Sequence, residues 1–131
     1  MYTIKQNCVE AASKTVQYFQ SALTGNGYEN PVCEDLACYF KVPMMFLIAG
    51  ETEFAANTLQ LIRNKFMQLN GDFMTTPSMK SIKPEYSEYW TYTNGWILRA
   101  AQRLGINTIT TPGYHYFQHN CMYNGQLCLT H

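Results

Sequence analysis

Three acids and a dense run of aromatic side chains are the residues of this chain best suited to chemistry: Glu34 and Asp35 side by side, and Glu88 far along the chain within the aromatic run. Paired carboxylates can act as acid and base, one giving a proton where the other takes it. Around Glu88 stand Tyr86, Tyr89, Trp90, Tyr92 and Trp96, all within eleven residues, with Glu85 and Asn94 among them. Tyr89, Trp90 and Tyr92 offer flat, rigid faces for a sugar ring or a hydrocarbon, and Asn94 offers both a donor and an acceptor. Asp72 reads first as part of a helix-ending Asn70-Gly-Asp72 turn and second as a cavity residue. The acids also have a plain structural reading, because carboxylates in the first turn of a helix are favoured by its macrodipole.

A second group, His115, His119, Cys121, Cys128 and His131, has the residue types of a zinc site. It lacks a tight cysteine pair and a His-Glu-x-x-His pattern, so no metal is expected. The chain has no glycine-rich phosphate loop and no Gly-x-Ser-x-Gly elbow, so no cofactor is expected either.

Five helical stretches would have to position these groups. Ile4, Cys8, Val9, Ala12, Val16, Phe19, Ala22 and Leu23 follow three-and-four spacing, which predicts an amphipathic helix over 3–23, closed by Gly25-Asn-Gly27. A second helix is expected over about 34–49. It is apolar on more than one face, and Pro43 should kink it or make its first part a separate turn. A third follows over about 52–69, with Thr52 as N-cap, and the short link makes the two antiparallel neighbours. After a loop rich in Thr and Pro, a fourth helix is expected over about 85–104, bounded by Pro84 and Gly105. In it Trp96, Ile97, Ala100, Ala101 and Leu104 read as packing, and Gly95 as a point of close helix contact. Residues 107–119 are a weaker fifth candidate, and 120–131 carry no clear pattern.

With 131 residues, 47% of them apolar and 15% aromatic, the chain has enough material for one core and is not expected to be disordered. Nine basic and nine acidic residues give no net charge, and so no basic stripe for nucleic acid. That balance, beside so many aromatics, favours self-association through exposed apolar faces. The longest apolar run, 42–50, has about half the roughly 20 residues a membrane span needs. The cysteines at 8, 33, 38, 121 and 128 are odd in number and form no dense framework, which suggests reduced thiols in a cytoplasmic protein.

Ala49-Gly50 and Leu104-Gly105 each follow a richly apolar stretch and each precede another helix, which suggests a repeat of two-helix units. Through 40–55, Asn70-Gly-Asp-Phe73 and 88–105, the chain resembles the α/α-toroid enzymes, in which helical hairpins close into inner and outer rings. That group includes sugar epimerases, six-hairpin glycoside hydrolases and lyases, and terpenoid cyclases. The resemblance spans roughly residues 3–119 and implies an all-α fold of antiparallel hairpins forming part of a toroid. A full toroid has about six hairpins and this chain has two and a half, so residues 1–131 would be one helical-hairpin domain or a fragment of a larger one. The resemblance also implies a substrate mouth near Glu34, Asp35, Glu88, Tyr89, Trp90, Tyr92, Asn94 and Asp72. The expected ligand is a neutral, ring-bearing small molecule, most plausibly a carbohydrate handled by the carboxylates, in an enzyme inactive as this chain alone. Alternatives are a terpenoid cyclase piece, in which aromatic faces stabilise cations, and a non-catalytic scaffold for a protein partner.

Overall fold

The first helix begins where a capping box closes: Thr3 Oγ1 accepts the Gln6 N–H at 3.3 Å, and Gln6 Oε1 accepts the Thr3 N–H at 2.7 Å. The computed structural model describes residues 3–23, 32–86, 90–123 and 126–127. In chain order these form α1 (Ile4–Ala22), a 3-10 turn (Leu36–Cys38), α2 (Val42–Ile48), α3 (Thr52–Phe66), a second 3-10 turn (Pro84–Tyr86), α4 (Trp90–Arg103) and α5 (Asn107–Asn120). A two-residue hairpin of β1 (Met122–Tyr123) and β2 (Gln126–Leu127) follows. The fold is all-α. No described helix is long and apolar enough to cross a membrane.

The second helix is shorter than its apolar pattern suggests. Pro43 sits in the first turn of α2, where its missing N–H removes nothing from the ladder, so the helix starts there and Leu36–Cys38 forms a separate 3-10 turn. The third helix stops at Phe66, three residues early, because the chain turns back on itself. Met67 bridges Phe73, Gln68 N donates to Asp72 O at 2.7 Å, and Gly71 takes φ +92°. Glu51, not Thr52, stands at the N-cap of α3, with no side-chain capping bond.

Two helical hairpins form the body: α2 packs on α3, α4 packs on α5, and α2 lies against α4. Their links are built alike. Gly50 at φ +81° donates to Leu47 O at 3.1 Å while Glu51 N donates to Phe46 O at 2.8 Å. Gly105 at φ +67° donates to Gln102 O at 3.1 Å while Ile106 N donates to Ala101 O at 3.0 Å. Both are Schellman closures, in which a left-handed glycine lets two amides satisfy the last turn of the helix before it. Inside, Leu36, Tyr39 and Phe46 meet Leu59, Ile62 and Phe66 of α3, Ile97 and Ala101 of α4, and Ile109 of α5.

The first helix stands apart from this body. None of its residues is buried; Val16 and Phe19 only lean on the core, and Leu23 just beyond it is buried. Ile4 and Val9 keep 84% and 63% of their surface exposed, so half of the apolar stripe that makes α1 amphipathic has no protein cover among the described residues.

Candidate functional site

Of the two neighbouring acids, one is a surface residue and the other a structural hub. Glu34 is exposed and pairs with Lys65 Nζ at 2.5 Å. Asp35 is buried and its carboxylate is already fully engaged. Oδ1 accepts Ala37 N at 2.8 Å and the Thr75 hydroxyl at 3.4 Å; Oδ2 accepts Ser81 Oγ and Ile82 N, both at 2.9 Å. Asp35 thus caps the first 3-10 turn and ties it to the 75–82 loop. Its lone pairs are taken up by the fold, which suits a structural tie rather than a group that meets a substrate.

That loop carries a residue the sequence reading passed over. Lys80 is 2% exposed. Its Nζ donates to Asn94 Oδ1 at 2.6 Å, to Phe73 O at 2.7 Å and to Asp72 Oδ1 in a close ion pair. Asp72 Oδ1 also accepts Phe73 N and Asn94 Nδ2, each at 2.8 Å, and Thr93 Oγ1 donates to Asn94 Oδ1 at 3.3 Å. The cluster therefore joins the turn after α3, the 75–82 loop and α4. Burial pulls the Lys80 ammonium below the ordinary lysine value, while the Asp72 carboxylate holds it up. Burial, then the Asp72 charge and a hydrogen bond to it, push the Tyr116 phenol well above the usual range, and burial and Asp72 likewise raise the Cys121 thiol. Every buried polar side-chain atom described has a partner. The cluster is closed and fully satisfied, which suits a clamp.

Open space lies on the other side of α2. A groove of about 510 Å³ runs between α1, α2 and α4, within the size range of small-molecule sites. Its floor is Met44, Met45 and Ile48 of α2, with Trp96 of α4 on one side and Ala12 and Val16 of α1 on the other. Thr15 and Lys41 are its polar residues. Lys41 Nζ stands 5.5 Å from the Phe40 ring centroid, 5.2 Å from Tyr92 and 5.6 Å from Trp96, a cation against three aromatic faces. The rings meet edge to face, Phe40 with Tyr92 at 5.9 Å and Tyr92 with Trp96 at 6.2 Å. Lys41 in turn draws the exposed Tyr92 phenol below its usual value.

The structure thus brings Asp72 and Asn94 together around Lys80, and places Tyr92 against Lys41 and Trp96 of the groove without lining it; Glu34 and Asp35 belong to neither. Glu88 and Tyr89 lie outside the described residues, as does the side chain of Trp90, which opens α4. Lys80 gave no signal because a lone lysine in a polar loop looks solvated. Lys41 carried one, as the cation between an aromatic residue and the longest apolar run. Gly95 makes no close helix contact: a Cβ there would meet nothing within 4 Å. His115 and His119 share a face and stack at 4.1 Å, and no metal-binding cluster occurs among the described residues. The expectation of reduced cysteines is corrected at one pair. The 3-10 turn folds Cys33 and Cys38 to a Cα separation of 6.5 Å and they form a disulfide, while Cys8 and Cys121 are free. No protein family, curated protein or solved structure matches the chain.

Proposed function

We propose that the chain is a helical-hairpin unit of the α/α-toroid kind that binds a small apolar molecule, an isoprenoid or acyl chain, in the groove between α1, α2 and α4. The toroid part of this reading draws support from the two hairpins with matching Schellman links and from the adjacency of α2 and α4, the arrangement that neighbouring inner helices would have. The groove carries the functional part. Apart from Thr15 and Lys41, every described residue lining it is apolar or aromatic. A sugar needs several fixed donors and acceptors for its hydroxyls, and burying them against methionine and isoleucine would leave them unpaired. An isoprenoid loses nothing there and removes both its own surface and the groove's from water, worth about 25 cal/mol per Å² of apolar area. Among the described residues the lining carries no carboxylate, and its apolar character supports binding.

Titration with farnesol and with maltotriose, followed by tryptophan fluorescence because Trp96 lines the groove, tests the proposal. Farnesol should give a saturable change, maltotriose none, and Ala12→Phe, which fills the groove from the exposed side of α1, should weaken farnesol at least tenfold. Saturable maltotriose binding, or farnesol binding indifferent to Ala12→Phe, would sink it.

A further inference from the structure

We infer that the groove's ligand is an anionic amphiphile, a long-chain carboxylate whose tail lies between α1 and α2 and whose head meets Lys41. This rests on the groove reading above and narrows it. Among the described residues the one charged side chain in the lining is a cation, Lys41. Among the described residues it has no carboxylate within ion-pair distance. Three aromatic rings hold it at the rim, so the ammonium is positioned before any ligand arrives. A second cation borders the lining, where Arg103 Nη1 reaches Met44 Sδ at 3.9 Å. A neutral chain would fill the groove and leave this charge unused; a cationic one would meet like charge.

The tail has a place for a separate reason. The first helix packs without a single buried residue, and Ala12, Thr15 and Val16 line the groove, Val16 leaning on the core as well. An acyl chain lying there would complete the apolar contact that α1 lacks, so binding should also hold α1 to the body.

The test compares three twelve-carbon probes below their micelle concentrations: dodecanoate, dodecanol and dodecyltrimethylammonium. Dodecanoate should bind about fivefold tighter than dodecanol, the scale of one rim ion pair, with the ammonium probe weakest. Lys41→Gln should remove the preference for dodecanoate and Lys41→Arg should restore it. Amide exchange in 4–22 should slow when dodecanoate binds. Equal binding of dodecanoate and dodecanol would overturn the anionic head while leaving the apolar groove intact. Failure of both to saturate would overturn the groove reading itself.

Discussion

Replacing Lys80 with methionine tests the buried cluster most directly. The substitution keeps the side chain as far as Cε and removes an ammonium that donates to Asp72, Phe73 O and Asn94 Oδ1. The Asp72 carboxylate would be left 4% exposed and without its cation, retaining the Phe73 N–H, the Asn94 amide and the Tyr116 hydroxyl as donors. Breaking a buried pair from one side costs about 3–5 kcal/mol, against a total stability of about 5–15 kcal/mol for a domain of this size. At about 2.1 cal/mol/K of unfolding entropy per residue, that loss lowers Tm by roughly 10–18 °C. Urea and thermal unfolding followed by tryptophan fluorescence would measure it. Lys80→Met/Asp72→Asn, which removes the stranded carboxylate as well, should recover part of the loss at pH 7. A deficit below about 1 kcal/mol at pH 7, or no recovery in the double variant, would refute a buried ammonium held by these acceptors.

Gly71→Ala should cost about 3 kcal/mol or more, since its Cβ would fall 2.1 Å from Pro112 O at a φ of +92° and backbone cannot yield. Gly113→Ala should cost less, because its Cβ meets the movable Leu98 side chain at 2.3 Å; chemical denaturation that ranked the two in reverse would contradict this. Gly95→Ala should stabilise by about 0.5–1 kcal/mol, read as a higher urea midpoint, because the position is helical, exposed and open. For Tyr116 the folded phenol holds its proton where the unfolded one releases it, above about pH 10. Stability therefore falls as pH rises from there toward the folded pKa, and Tyr116→Phe should fall less steeply in alkaline urea titrations; an unchanged slope would count against the shift.

Helix existence was legible where apolar periodicity was clear, as at α1 and α3, and at the two links where it met a glycine; Gly25-Asn-Gly27 lies outside the described residues. The errors came where local chemistry overrode that pattern. Asp35 captures the amide of Ala37 and so makes a 3-10 turn of a stretch whose apolar texture reads as helix. Poor helix formers at Thr108, Thr110 and Thr111, with Pro112 inside, still form α5, because Ile109, Thr110 and Gly113 pack against the body. Asp72 and Asn94 could be picked out by type, but what they hold could not: Lys80 lies 8 residues from one and 14 from the other, and no periodicity joins a loop lysine to a helix asparagine. The groove was invisible for a related reason. It is a property of how loosely α1 sits, and an amphipathic pattern shows that a helix has an apolar face without showing what covers it.

The Lys80 clamp also bears on the order in which the chain folds. Each hairpin closes through bonds spanning five residues or fewer at Gly50 and Gly105, so α2–α3 and α4–α5 can form early and independently. The ammonium can be desolvated only once the turn after α3, the 75–82 loop and α4 have all arrived, since any missing acceptor would leave charge stranded. It should act as a late latch that joins two preformed hairpins and appears mainly in the unfolding rate. Lys80→Met would then unfold much faster while refolding at nearly the parent rate, and a loss confined to refolding would instead put the clamp in the nucleus.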